Sequence, residues 1–369
     1  MGGQTADPTE RRSLLDSFVR GRNNDRREFR RRESRMQLVL ILPGLLESAA
    51  GRAAPVHAPA LADLIGLAGT PSRETEGLDA EIARRYGIAR QTDWPLAAIR
   101  AAALGVRADD GYWLAADPAT LVVGRDEAAL SAIVDDLTAA QAAAIVATLN
   151  AHFVDDGLAF VAARPEAIFA RAAVAPRLTT RPPAANLGEP LRVRLPAGPD
   201  APKWRRWQSE IQMLLHEHPV NAERETSGRP PVNSLWFSFG GTLPPQPSPA
   251  PSIRTFADAG VAMACAAHIG MPARGVPSNL VAALDDGAGA NCVLVALPPD
   301  IALSAAERSW AAPARDALSA GRIADVSILA AHAGDAVCWH AARPRLWQRI
   351  AARARRRDLG TELAAALRT

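Results

Sequence analysis

The chain has 369 residues, 48% of them hydrophobic, enough to bury a sizeable core in one large domain or two ordinary ones. No run of about 18 apolar residues occurs and no secretory leader opens the chain, which argues against a membrane-spanning helix and for a cytoplasmic protein. The formal net charge of +3 is uneven: residues 1–35 hold ten arginines against six acids and the remainder carries −1, so nucleic acid is expected as a partner only through that first segment.

In chain order, residues 1–35 have too little apolar surface to order alone and predict a disordered, Arg-rich arm. Met36 directly precedes a strand-like run and marks an alternative start, with the arm as an upstream leader. "QLVLIL" (37–42), apolar and stopped by Pro43-Gly44, predicts a buried strand. "EGLDAEIARRYG" (76–87) and "DWPLAAIRAAALG" (93–105) have helical periodicity and closing glycines, the second with Asp93 as N-cap and Pro95 in its first turn. "GYWLAADPATLVVG" (111–124) predicts two short strands around an Asp117-Pro118 turn. An alanine-rich helix (138–151) precedes a hairpin that turns at Arg164-Pro165. Residues 175–203 form a long connection, and 242–252 ("TLPPQPSPAPS") an extended Pro-rich loop. Helix 257–269, strand 292–296, helix 304–319 and strand 324–330 then alternate, and an Arg-rich helix follows over 344–369. The alternation predicts an α/β fold, a mixed sheet with flanking helices, in one main domain over 36–343.

One stretch, "HEHPVNAERETSGRPPVNSLWFSFGG" (216–241), concentrates hydrogen-bonding side chains. It follows a helix whose Trp204, Trp207, Ile211, Leu214 and Leu215 form an apolar stripe. Pro219 ends that helix and starts a second, which stops at Gly228. In the strand beyond, Asn233, Leu235, Phe237 and Phe239 point one way and Ser234, Trp236 and Ser238 the other. The sharp expectation is a polar pocket within 204–241, joined by Trp113 and Asp117. In it, His216 or His218 handles protons, Arg224 grips a carboxylate or phosphate, Asn221 and Asn233 orient the ligand, and Ser234 and Trp236 line it. The structural alternative is that these side chains tie a helix corner to a strand.

His216 and His218 have no third ligand nearby in sequence, so no metal site is predicted. Cys265, Cys292 and Cys338 lack CxxC spacing and predict reduced, mostly buried thiols. No GxGxxG after a strand, Walker loop or GxSxG elbow occurs, so no catalytic residue or cofactor is assigned.

"WQSEIQMLLHEHPVNAERETSGRPPVNSLWFSFGG" (207–241), with "GYWLAADPATLVVGRDE" and "LNAHFVDDGLAF", resembles a bacterial family of RpfE-type regulatory proteins. Many members are also labelled cofactor-independent phosphoglycerate mutases. The likeness runs from about Met36 to about Pro344. It implies either a regulatory protein that binds a small anionic ligand or a protein partner, or a phosphoryl-transfer enzyme. Such mutases open with a strand ending in Asp-Gly, whose aspartate binds metal, and need a Ser or Thr nucleophile with a spaced Asp/His set. Here Pro43 stands at the aspartate position and no His-Asp-His run occurs. The leading expectation is therefore binding, with phosphoryl transfer second.

Overall fold

The computed structural model of the chain describes residues 36–50, 57–108, 110–123, 128–183, 196–343 and 358–368. The arm 1–35 and residues 344–357 of the expected C-terminal helix lie outside the described residues. The structure is mixed α/β, with two sheets and flanking helices.

The first sheet contains Gln37–Ile41 (β1), Ser72–Glu74 (β2), Ile253–Phe256 (β8), Cys292–Ala296 (β9), Asp325–His332 (β10) and Asp335–Ala342 (β11), in the order β2-β11-β10-β1-β9-β8. β8, β9, β1 and β10 are parallel, and β11 and β2 are antiparallel additions. β1 is central because it is apolar on both faces. Leu38 and Leu40 enter one core and Val39 and Ile41 the other, as a doubly covered parallel strand requires.

The second sheet is antiparallel: Tyr112–Val123 (β3), Ala128–Ile133 (β4), Leu158–Arg164 (β5), Ala167–Ala172 (β6) and Ser234–Gly241 (β7). β6 and β4 share one edge of β3, and β7 takes the other.

Helices fill three layers. Leu45–Ala50 (α1), Pro59–Ala68 (α2), Leu280–Asp286 (α9), a helix running from Leu303 to Ala320 through a π-turn (α10) and Leu359–Arg368 (α11) cover the outer face of the first sheet. Leu78–Arg85 (α3), Leu96–Ala103 (α4) and Gly260–His268 (α8) lie between the sheets. Ala139–His152 (α5), Ala201–His216 (α6) and Pro219–Thr226 (α7) cover the far face of the second sheet. Residues 242–252 run without helix or strand from β7 in one sheet to β8 in the other.

Three local expectations are corrected. Asp117-Pro118 is not a turn but lies inside the continuous strand β3. Val134 N–H donates to Pro118 O (2.8 Å), so the proline's backbone faces the edge where the neighbour changes from β6 to β4. No ladder bond is lost there through its missing N–H. Asp93 does not cap α4: Pro95 occupies the cap position without a side-chain bond, and Asp93 is used elsewhere. Phe239 leaves the face of Leu235 and Phe237, because its φ of 58° turns it into the core between the sheets.

Candidate functional site

The α6–α7 corner is built as the sequence suggested. The α6 stripe packs on the outer face of β7, with Trp204 edge-on to Phe237 at 5.2 Å between ring centres. His218 caps α7: its Nδ1 accepts from Val220 N (3.3 Å), and its Nε2 meets Thr148 Oγ1 (2.9 Å). Burial holds the His218 imidazolium below its ordinary pKa.

The corner's amides serve the backbone. Asn221 Nδ2 donates to Leu215 O (2.7 Å) and Val232 O (3.0 Å), while its Oδ1 accepts from Val232 N (2.8 Å). Asn233 exchanges two 2.8 Å bonds with the backbone of Leu121 and so extends the β3–β7 ladder by one side chain. Arg224 is 1% exposed; it donates from Nε to Pro230 O (2.7 Å) and from Nη2 to Asp136 Oδ1 (2.6 Å). The Arg224 hydrogen bond holds the Asp136 carboxyl below the usual range.

A hollow of about 500 Å³ opens beside these groups, bordered by His216, Glu217, Glu225 and Arg229. Arg224 does not line this hollow. Arg229 is already paired with Asp136 at 3.4 Å, and two carboxylates face the opening. Arg224 is enclosed and bonded through Nε and Nη2, as the structural alternative expects, while its buried Nη1 has no partner among the described residues.

Of the eight expected residues, His216, His218, Asn221, Arg224 and Asn233 gather at this corner. Asp117, Ser234 and Trp236 do not. They lie on the face of the second sheet opposite the α6 stripe, where Trp236 packs with Ala119, Leu121 and Leu130. The β3–β7 register sets Ala115 opposite Ser238, Asp117 opposite Trp236 and Ala119 opposite Ser234. Ser234 and Ser238 are both 0% exposed, and neither hydroxyl has a partner among the described residues. Asp117 is 8% exposed and its carboxylate makes no hydrogen bond among the described residues. Trp236 differs: its indole N–H donates to Arg181 O (2.9 Å).

Two residues that the sequence reading missed face this patch. Arg100, in the last turn of α4, sits over the Phe169 ring at 5.7 Å, and Phe169 pairs with Ala115 in the same sheet. Asp79, in the first turn of α3, shares Arg100 with Asp117. Burial pushes both carboxyls up; Arg100 opposes this in each, and Asp79 adds to it at Asp117. Asp79 and Arg100 are half-buried, so the patch reaches solvent on their side. The sequence signal was the serine alternation along β7; nothing in the sequence linked it to α3 or α4.

The end of β7 is fixed by Asp93. Its Oδ1 accepts from Trp94 N (2.8 Å), and its Oδ2 accepts from Thr180 N (2.8 Å), Thr180 Oγ1 (2.5 Å) and Gly240 N (3.4 Å). Burial pushes this carboxyl up and those bonds oppose it. Gly240 and Gly241 are needed for packing: a Cβ on the first would collide with the Tyr112 ring, and on the second with Pro95 Cα at 2.6 Å.

In open parallel sheets, ligands gather beyond the carboxyl ends of the strands. There β1 runs into Pro43-Gly44, packed on Pro299, and β8 runs to Asp258, whose Oδ1 accepts from Val276 N (3.1 Å). No group of three or more His, Cys, Asp or Glu side chains able to hold a metal ion occurs among the described residues. Nor is any helix among them long and apolar enough to cross a membrane.

The chain matches no protein-family model and no curated protein. Among solved structures it is similar to the cofactor-independent phosphoglycerate mutase from Thermoplasma acidophilum, with 17% identity and a TM-score of 0.37 over 83% of this chain and 89% of that one. It is also similar to the PH0037 protein from Pyrococcus horikoshii, with 14% identity and a TM-score of 0.44 over 83% and 87%.

Proposed function

We propose that the chain is a small-molecule-binding protein whose ligand lies between the inner face of the second sheet and α4. One observation supports this above the rest: the buried Ser238 hydroxyl, without a partner among the described residues, lies diagonally across from the Asp117 carboxylate, which makes no hydrogen bond among those residues. Folded proteins pair nearly all their buried polar atoms, so a cluster of exceptions on one face needs an occupant. The α6–α7 corner braces the strand that carries this face. A link between ligand binding and regulation is what the family resemblance implies.

Hydrogen exchange across β7, with and without a panel of small amines, carboxylates and phosphates, tests the reading. At least one compound should slow exchange between Ser234 and Gly241, and Ser238→Val should abolish that protection. If no class of compound protects these amides, the binding reading fails.

Phosphoryl transfer of the mutase kind is the second reading, favoured by the sequence resemblance. The residues beyond the parallel strands do not fit the two metals it needs: Pro43 has no ligand atom, and Asp258 is bonded to backbone. Stoichiometric manganese or zinc in the purified protein, with an activity lost on chelation, would replace binding with this reading.

A further inference from the structure

We propose that the groove along the α6–α7 corner is a docking surface for a segment of a partner protein that sets a large apolar side chain beside a lysine or arginine. The corner hollow of about 500 Å³ adjoins a second of about 600 Å³, and the two share His216, Glu217 and Asn233. Ser209, Gln212, Met213 and His216 recur at three- and four-residue steps, so one face of α6 walls the second hollow. It is not the face of the buried stripe through Trp204, Trp207, Ile211 and Leu215. Asn233 anchors the lining that both hollows share, tied to the Leu121 backbone by its two 2.8 Å bonds.

The lining divides by chemistry. In the second hollow, Met213 is 70% exposed. A single exposed apolar side chain is ordinary on a protein surface. This one lines a hollow, and the unbranched methionine chain adapts to the apolar group it meets. Glu217, shared by both hollows, and Glu225, in the first, are exposed. Neither carboxylate has an ion pair or hydrogen bond among the described residues. Arg229 is engaged by Asp136 through both its backbone carbonyl and its carboxylate. The charge left to meet a partner is therefore negative, and the complement is an apolar group next to a cation. A protein segment suits the groove better than a small molecule. Small-molecule sites enclose most of their ligand, whereas Met213 stays open to solvent and a segment laid along α6 would cover it. The bonds of Asn221, Asn233 and Arg224 already hold the corner, so docking needs no rearrangement.

Three blocked tetrapeptides serve as probes: Leu-Arg-Leu-Arg, Ala-Arg-Ala-Arg and Leu-Glu-Leu-Glu. The methyl resonance of Met213 is followed in the full chain, assigned by its disappearance in Met213→Ser, and the heat of titration is measured in parallel. Leu-Arg-Leu-Arg should move the resonance and bind the Glu217→Gln, Glu225→Gln double variant about tenfold more weakly. By heat, it should bind Met213→Ser about fivefold more weakly. All three substitutions are at exposed positions, and unchanged urea unfolding would show that the corner persists. Equal binding of Ala-Arg-Ala-Arg would overturn the apolar contact. Equal binding of Leu-Glu-Leu-Glu, or no loss in the double variant, would overturn the charge pairing. A resonance that moves with protein concentration alone would assign the groove to a second copy of the chain, and one that no peptide moves would sink the docking surface.

Discussion

The α6–α7 corner and the inner face of the second sheet share one strand, β7, yet they treat polar side chains in opposite ways. At the corner, Asn221, Asn233 and Arg224 are bonded to carbonyls, amides or a carboxylate at 2.6–3.0 Å. On the inner face, Ser234, Ser238 and Asp117 have no such partners among the described residues. The corner's amides are fully engaged and Arg224 keeps one unpaired nitrogen, Nη1, whereas on the inner face both serine hydroxyls are unpaired among the described residues. The second property marks a place for a ligand, because an unpaired buried polar atom costs about 1–3 kcal/mol that binding can recover. If the contrast is right, corner substitutions should damage stability, and inner-face substitutions should damage binding while sparing or raising stability.

Arg224→Met should have the largest effect. It keeps much of the apolar volume but removes the bonds to Pro230 O and Asp136. Asp136 can turn to water, while the Pro230 carbonyl and the space left by the guanidinium cannot be made good locally. A loss of roughly 3 kcal/mol in urea unfolding is expected. A loss below about 0.5 kcal/mol would mean that Arg224 is not structural, and would return it to the list of ligand contacts.

Asn233→Ala comes next. It strands the Leu121 N–H and C=O at once and should cost roughly 2 kcal/mol. Asn233→Asp keeps the acceptor for Leu121 N but sets a carboxylate oxygen against Leu121 O, so it should not rescue. Equal stability of parent and Asn233→Asp would contradict the ladder role.

Much of the fold was legible because periodicity is a local property. β1, the helices around 78–85, 96–103 and 201–226, the hairpin turning after Arg164 and the central strands β9 and β10 all carry it in their own residues. β8 was hidden by its four-residue length beside a Pro-rich loop, and β11 by its bond to β10 through a tight turn at Ala333-Gly334. The corner was legible as a cluster but not as a purpose. Whether Asn221 faces a ligand or Val232 depends on where residue 232 returns, a contact eleven positions away. The inner face was less legible still. Asp79 and Arg100 are ordinary helix-end residues until α3 and α4 are pressed between two sheets. Asp117 beside Pro118 has the chemistry of a turn until β7 pairs with it.

Asp117→Asn gives the smallest change and the sharpest test of the contrast. In the folded chain the Asp117 carboxyl titrates above its ordinary value, chiefly through burial. The folded state therefore holds a proton more tightly than the unfolded one. That preference stabilises the fold at low pH and is lost as pH rises through the raised pKa. At neutral pH the ionised carboxylate is a burden that an uncharged amide of the same shape avoids, and no hydrogen bond is broken in the exchange. The variant should be about 1 kcal/mol more stable than the parent at pH 7, seen as a rise of about 2 °C in Tm for a chain of this size. The gain should shrink toward zero as pH falls and the parent's carboxyl becomes protonated. A pH-independent gain would point to better packing and remove the electrostatic argument. A loss of stability at pH 7 would mean that Asp117 has a partner in the fold, which would place the inner face in the same class as the corner. A gain in stability joined to a loss of ligand binding is the pattern of a residue kept for its ligand at the expense of the fold.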